Sequence, residues 1–508
     1  MRITNAMMIN NTLSNINLNK LNVDKFNTQM STEKKIQKPS DDPIVAVRAL
    51  RFRSQLAELN QYLEKNIPDA ESWLKLSEDA LSGVSSTLSG MQAYMNQGAN
   101  DTLDLTDRKA VIDTLTQFRE QIYQDANFDY GGRRIFTGYK TDTDMTFMYA
   151  DKTLKYKITE ELDIDSFDVI SKVFDGVDIT NVAKIEAEDM PADKTDIHRI
   201  RLAYNKLMPG DAAAGTDVPV LGVKDADGNV TPVAGMKIVS PGTDGKYYDA
   251  DGNEIANIYK PGDDEIYFLS DTGEIIFGGD AYKTYKDENL TVTYSKTGFE
   301  KGELRPEHYF NCTRYEEDGT TEDIVFESYQ QDINYTVNFN QKLKVNSEGK
   351  NLFGHDVIRD LDELINGIEE LSVMEDKITQ IKKMQEDPVY AGDADQEALA
   401  SMLEAAQKEY DLQDDILQKR FERSLTLFSN HQATIDAEIA DIGSRYNRLT
   451  LNKTRLTTQQ TTLEELKSSN EDTDLPATVI KLSAASMVYD ASLSAASKVV
   501  TKSLLDYL

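Results

Sequence analysis

Four histidines, one cysteine and an excess of carboxylates are the side chains in this 508-residue chain that could carry chemistry. His198, His308, His355 and His431 stand at no metal-ligand spacing from one another, and no HExxH is present, so a zinc protease is unsupported. Cys312 is the single cysteine, which rules out an intramolecular disulfide and a Cys-rich zinc site. Two Asp-x-Asp-Gly-Asn stretches, Asp225–Asn229 and Asp249–Asn253, invite a calcium reading. An EF-hand loop needs Gly at its sixth position and Glu at its twelfth. Counted from Asp225 those positions hold Val230 and Met236, and counted from Asp249 they hold Glu254 and Lys260. Both stretches therefore read as hairpin turns, in which Asp-Gly supplies the positive φ of a tight turn. No phosphate-binding glycine loop, dinucleotide fingerprint or GxSxG nucleophile elbow occurs. No catalytic, cofactor-binding or metal residue is assigned, and the chain is not expected to be an enzyme.

Charge narrows the partners. The 55 basic and 88 acidic side chains leave a formal charge of −33, which phosphate backbones would repel, so nucleic acid is not expected as a partner. Mean hydropathy is −0.52 and no apolar run approaches the ~20 residues of a bilayer span, so the chain is not expected to be membrane-embedded. The opening MRITNAMMINNTLSN lacks the basic stretch, apolar segment and cleavage site of a secretory signal.

The remaining chemistry is association. Phe421, Leu425, Phe428, Gln432, Ile435, Ile439, Ile442, Tyr446, Leu449, Lys453, Leu456, Gln460 and Leu463 step alternately by four and three. Such spacing keeps one stripe on one side of a helix and is a coiled-coil signature. A helix over 420–467 is roughly 70 Å long at ~1.5 Å per residue, and needs a partner along its length. Ile67, Ala70, Leu74, Ser77, Leu81, Val84, Leu88, Met91 and Met95 supply one. Phe52, Leu56, Leu59 and Leu63 precede it in a shifted register, so the spacing predicts a kink or stutter between Leu63 and Ile67, beside Pro68. Val111, Leu115, Phe118 and Ile122 mark a further helix.

The two extremes differ from these. Ile9, Ile16, Val23 and Met30 recur every seven residues with Leu13 on the same stripe, among many asparagines, which are poor helix formers. Val479, Leu482, Ser486, Tyr489, Leu493, Ala496 and Val500 step by four and three with alanine and serine between them. Segments with an apolar seam but weak intrinsic helicity order on meeting partners. The expected interface residues are Ile9, Leu13, Ile16 and Val23 with Leu482, Tyr489, Leu493 and Val500, together with Leu504, Leu505, Tyr507 and Leu508 of the tail.

Composition places a β-rich insert between the helical ends. Residues 141–350 hold 17 of the 27 glycines and 14 of the 24 tyrosines, with 42 acidic against 22 basic side chains. Val223–Lys224, Lys246–Tyr248 and Tyr267–Leu269 each run into a glycine turn, and Leu290–Tyr294 and Ile333–Phe339 alternate like half-buried strands. The fold class is mainly α, a coiled-coil rod formed by paired N- and C-terminal helical regions, with the insert in mid-chain. The expected divisions are an N-terminal assembly segment (1–43), two parts of the helical rod (44–140 and 351–470), the outward-facing insert (141–350) and a C-terminal assembly segment (471–508).

Three motifs carry a resemblance. Lys34-Lys35-Ile36-Gln37-Lys38-Pro39-Ser40-Asp41-Asp42-Pro43 is a loop with a strong helix start. Ala126-Asn127 followed by Gly131-Gly132-Arg133-Arg134-Ile135-Phe136-Thr137-Gly138 turns the chain into the insert, and the chain closes Ser503-Leu504-Leu505-Asp506-Tyr507-Leu508. This set resembles the flagellin superfamily over about residues 1–140 and 351–508. Arg134 stands where that pattern has a tyrosine. The loop and the tail point to a member at the hook–filament junction rather than to filament flagellin.

The resemblance implies a structural protein of the bacterial flagellum, extracellular, exported through the flagellar type III apparatus without signal cleavage. It further implies a collar of copies of this chain in a ring, which meets the preceding hook-associated junction protein on one side and seeds flagellin on the other. A flagellar export chaperone would contact the C-terminal helix, and no cofactor is implied. Two alternatives stand beside this one: filament flagellin itself, and an insert that acts as an adhesive or ligand-binding module.

Overall fold

The computed structural model describes residues 5–100, 105–174, 176–177, 179, 182–185, 194–211, 216–225, 227–315 and 324–499. Helices α1 (Asn5–Thr32), α2 (Pro43–Gln61), α3 (Ile67–Gly98) and α4 (Leu105–Ala126) precede the strands. Two short helices, α5 (Gly279–Tyr285) and α6 (Pro306–Tyr309), lie among them. Helices α7 (His355–Glu386), α8 (Asp393–Glu471, 79 residues) and α9 (Leu475–Val499) follow. The fold class is thus mainly α at both ends, with a β-rich region in mid-chain. No described helix is long and apolar enough to cross a membrane. The chain divides into two compact units: one holds the residues up to Ser72, Tyr335–Leu343 and those from Tyr446 onward, the other Trp73–Asn334 and Lys344–Arg445.

In the first unit the register shift between Leu63 and Ile67 takes the form of a π-helical turn, Tyr62–Asn66. A π turn inserts one residue into the helical ladder and so moves the apolar stripe without ending the helix. The Asn66 side chain donates to the Thr336 carbonyl at 2.8 Å. Ile67, Ala70, Leu449 and Leu456 are fully buried. Beside them Lys453 bridges Glu71 at 2.8 Å and Gln460 donates to Asn60 at 2.9 Å.

The second unit opens on the same seven-residue repeat. Phe421, Phe428, Ile435 and Ile442 of α8 are fully buried, as are Leu74, Leu81, Met91 and Met95 of α3. Gln432, a polar member of the stripe, is satisfied by Gln92 at 2.8 Å. A Cβ on Gly98 would stand 2.5 Å from the Phe421 ring, so this end of α3 takes no larger residue. A hairpin of β1 (Asp129–Tyr130) and β2 (Arg133–Arg134) follows α4, with Gly131 and Gly132 at φ +60° and +79°. Arg133 lies over the buried Trp73 ring. Arg134 donates to the Asn127 carbonyl and pairs with Asp144 at 2.5 Å.

Two sheets form the insert. The six-stranded sheet contains β3 (Asp151–Leu162), β6 (Val220–Lys224), β7 (Val230–Pro232), β13 (Leu290–Phe299), β14 (Asn311–Tyr315) and β15 (Ile324–Phe326), in the order β15-β14-β3-β13-β6-β7. The seven-stranded sheet contains β4 (Phe167–Lys172), β5 (Thr195–Arg201), β8 (Met236–Pro241), β9 (Tyr247–Asp249), β10 (Glu254–Ile255), β11 (Ile266–Leu269) and β12 (Glu274–Phe277). Its order is β10-β9-β8-β11-β12-β5-β4, antiparallel except for β8 beside β11. Tyr156, Ile158, Phe268, Val292, Tyr294 and Phe299 fill one core with contributions from both sheets. A last hairpin pairs β16 (Asn334–Asn338) with β17 (Gln341–Lys344). Its first strand stops one residue short of the expected Phe339, because the chain turns through Asn340 at φ +53° and leaves Phe339 exposed.

The two Asp-x-Asp-Gly-Asn stretches close the β6–β7 and β9–β10 hairpins. Asp225 accepts from the Asp227 and Asn229 amides and the Asn229 side chain, and Asp249 repeats this with Asp251 and Asn253. Each carboxylate is thus occupied by its own turn. Among the described residues no group of three or more His, Cys, Asp or Glu is placed to hold a metal ion.

Buried charge ties the seven-stranded sheet to the helices of the same unit. Arg199 on β5 is met by Asp168 of β4 at 2.9 Å, by Glu363 of α7 at 2.6 Å and by Glu274 of β12. Arg201 meets Asp360 and Glu363 of α7, and Arg423 of α8 reaches Asp168. Burial works to raise the Glu363 pKa, but Arg199, Arg201 and Arg420 outweigh it and hold it down at about 2.

A carboxylate whose pKa is lower folded than unfolded contributes stability that is present above its ordinary range and lost as pH falls toward the folded value. Stability is therefore expected to decline as pH drops from about 4.5 toward 2, and Glu363→Gln should flatten that dependence. Arg199→Met leaves Asp168, Glu274 and Glu363 facing one another in the interior and should cost about 3–5 kcal/mol at neutral pH. Urea unfolding of the full chain followed by circular dichroism checks both, and an unchanged midpoint for Arg199→Met would refute the tie.

Candidate assembly interface

The first unit brings the two ends of the chain together. Its anchor is the loop 33–43. Thr473 donates its amide to the Glu33 carbonyl at 2.9 Å, and Lys35 donates to the Glu471 carbonyl at 2.7 Å. Lys34 pairs with Asp472, and the Lys34 hydrogen bond lowers the Asp472 pKa. Glu471 is buried and receives Arg53 through two bonds, at 2.9 and 2.6 Å. Asp41 takes the Gln37 and Lys38 amides at 3.0 and 2.9 Å. Asp42 caps α2 through Ile44 and Val45 at 3.0 and 3.1 Å, with Pro43 in the first helical position. The helix start expected from the Pro-Ser-Asp-Asp-Pro loop thus forms, and its neighbouring residues clasp the start of α9.

From this clasp α1 and α9 run back antiparallel and pack on one another. Between Ile9 and Phe26 the half-buried positions of α1 are Ile9, Thr12, Ile16, Asn19, Val23 and Phe26, a four-three stripe. Those of α9 include Leu482, Ala485, Tyr489, Ser492 and Ala496. Ile9, Ile16, Val23, Leu482 and Tyr489, expected from sequence, therefore lie on the seam within one chain. Asn19 donates to Ser492 at 2.5 Å across it. A stripe sought only among apolar residues passes over Thr12, Asn19 and Ser492, whereas the four-three step from Ile9 leads directly to Thr12 and then to Ile16 and Asn19.

The structure separates two other expected residues from that seam. Leu13 is 52% exposed and Leu493 43% exposed. They belong with Met7, Leu18 and Leu21 of α1 and Ile480, Met487 and Val488 of α9, all exposed. Ile480 and Met487, 69% and 70% exposed, lie opposite the seam stripe of α9 by helical spacing. On α2, Ile44, Val47 and Leu50 are exposed as well. Helices α1 and α9 thus keep apolar residues that the described part of the chain leaves uncovered, a concentration of the kind found where proteins meet. Val500, Leu504, Leu505, Tyr507 and Leu508 lie outside the described residues.

The histidines belong to the second unit. Burial lowers His355 to about 3 and His308 to about 4, so both are neutral at pH 7, and His198 is stacked on Tyr282 at 3.6 Å.

Comparison with known proteins gives the same organisation. Residues 3–141 match the family model for the bacterial flagellin N-terminal helical region, and residues 425–508 match that for the bacterial flagellin C-terminal helical region. The flagellar hook-associated protein 3 of Escherichia coli (strain K12) is 30% identical over 254 residues, which is 46% of this chain and 78% of that protein. The protein of the same name from Salmonella typhimurium is 35% identical over 144 residues, 28% of this chain and 45% of that protein. Among solved structures, flagellar hook-associated protein-3 from Legionella pneumophila aligns over 82% of this chain and 97% of that chain, at 10% identity and a TM-score of 0.30.

The chain belongs to the flagellin superfamily, whose terminal helical regions it carries at both ends. Within that superfamily its family is that of flagellar hook-associated protein 3, a structural component of the bacterial flagellum.

The seam makes a direct prediction. Asn19→Leu replaces a polar member of the stripe and should strengthen α1–α9 pairing by about 1 kcal/mol. Slower tryptic cleavage after Lys20 and Lys25 is the expected readout, and faster cleavage would show that the Asn19–Ser492 bond holds the pair together.

Proposed function

We propose that copies of this chain form the junction collar between hook and filament and seed the assembly of flagellin. The observation that carries the proposal is the uncovered apolar face on α1 and α9, with Leu13, Leu21, Ile480, Met487 and Leu493 all exposed while the seam between the helices is already occupied. At about 25 cal/mol per Å² of apolar area removed from water, covering such faces favours association of one copy with the next. In a ring, the face of one copy meets a different face of its neighbour, a heterologous contact that closes by rotation. One rim of the collar would meet the preceding hook-associated junction protein and the other the first flagellin subunits.

The ends, residues 1–43 and 471–508, act in this reading as assembly segments, and the insert faces outward. Seven asparagines between Asn10 and Asn27 weaken α1 as an isolated helix. That weakness suits passage of an unfolded chain through the flagellar export apparatus to the cell exterior, without a cleaved signal. An export chaperone would cover the C-terminal helix beforehand.

The test is a strain that lacks this chain, complemented with Leu21→Asp/Met487→Asp. Both positions are exposed, so the purified variant should unfold within about 0.5 kcal/mol of the parent. In the cell it should leave hooks without filaments and release unpolymerised flagellin into the medium. Normal filaments on the complemented cells would overturn the assignment of this surface.

A further inference from the structure

A cavity of about 320 Å³ opens in the second unit, between the seven-stranded sheet and α7. In a chain of charge −33, its lining is the reverse of the average, with six cationic side chains against five acidic ones. Five of the six cations have a carboxylate within 3.3 Å. Arg199 and Arg201 share Glu363, Arg420 and Lys172 share Glu370, and Lys206 at the rim takes Glu300.

Arg359 is the exception among them. Its guanidinium is buried, yet its hydrogen bonds go to two backbone carbonyls, those of Leu202 and Thr272. The Asp362 carboxylate faces its Nη1 with Oδ2 at 4.0 Å, a long ion pair, while its Oδ1 takes Arg119 at 3.1 Å. Two neutral carbonyls orient a guanidinium without neutralising it, and a buried cation in a low-dielectric wall attracts an anion strongly.

A second donor lies beside it. Thr272 lines the same cavity, its carbonyl is bonded to Arg359, and its hydroxyl is buried without a partner. A buried hydroxyl left unsatisfied costs free energy that a bound acceptor would recover. The turn that carries Thr272 requires glycine at its next position: Gly273 has φ +66°, and a Cβ there would stand 1.9 Å from the Tyr204 carbonyl oxygen.

We propose that this cavity is a binding site for a small oxyanion, a phosphate or a compact carboxylate, held by the Thr272 hydroxyl and by Nη1 of Arg359, whose nearest ion-pair partner, Asp362, lies 4.0 Å away. An occupant there joins the β11–β12 turn to α7 and so stiffens the attachment of the sheet to its helices.

The experiment uses the full-length chain at pH 7. Inorganic phosphate and citrate are titrated separately by calorimetry, with potassium chloride at matched ionic strength as the blank. One-site saturable binding of either, with a rise in Tm that follows ligand concentration, is expected. Phosphate without citrate would assign the site to phosphates, and citrate without phosphate to carboxylates. Arg359→Gln should weaken binding about tenfold or more, the loss expected for a charged hydrogen-bonding partner.

Since Arg359 also ties down two carbonyls, Thr272→Val provides a variant that keeps those bonds. It removes a hydroxyl that no protein atom satisfies, so the unliganded chain should be at least as stable as the parent. Its affinity should fall roughly fivefold. Absence of saturable binding by both anions, or undiminished binding in Thr272→Val, would overturn the proposal.

Discussion

An apolar stripe on a long helix must be covered along its whole length, and in this chain the cover comes from the other end of the sequence. No stretch of α8 could persist alone in water with a fully buried-type residue every seventh position, from Phe421 to Leu456. Within each unit the N-terminal helices supply the second half of the seam. The polar members follow the same rule: Gln432 finds Gln92, and Gln460 finds Asn60. Everything between residues 127 and 354 is thereby an excursion that begins and ends on one helical framework. An insert held this way can be large and of a different class without disturbing its host.

Attachment of the insert uses a different force. Its sheet is not merely greased onto α7 and α8; Arg199, Arg201 and their carboxylates cross between strand and helix in the interior. Buried ion pairs contribute little net stability, because desolvation offsets their attraction, but a mispaired arrangement is strongly disfavoured. Apolar packing alone would allow the sheet to slide on the helices. A guanidinium that needs Asp168, Glu274 and Glu363 at once allows one placement.

The terminal helices obey the opposite economy. Their seam is only half-buried, is interrupted by Asn19 and Ser492, and depends on the clasp at Lys34–Asp472 for its start. Meanwhile leucines, methionines and isoleucines face outward. In the proposed collar, neighbouring copies complete this pair by covering those residues. A well-buried body thus carries terminal helices whose apolar residues are only partly covered.

Much of this was legible in the residues. The four-three steps of α3 and α8, the register break before Ile67, the capping loop at Asp42–Pro43 and the three glycine hairpins all depend on local spacing, which a linear chain displays directly. The family followed from the loop Lys34–Pro43, the Gly-Gly-Arg turn and the Ser503–Leu508 tail. Other features required the tertiary structure, because they depend on which distant groups meet. The break could equally have been a kink; the folded chain resolves it as a π turn, at whose end Asn66 bonds the Thr336 carbonyl. The sequence reading put Leu13 on the stripe of α1, whereas beside α9 it is Thr12 that is half-buried and Leu13 that faces solvent. The strand order of the insert and the Arg199 cluster joins residues up to about 250 positions apart, and charged residues carry no periodic signal of burial. Sequence alone determined where helices and turns begin; only the folded chain decided which faces remained open, because exposure is a property of what covers a residue rather than of the residue.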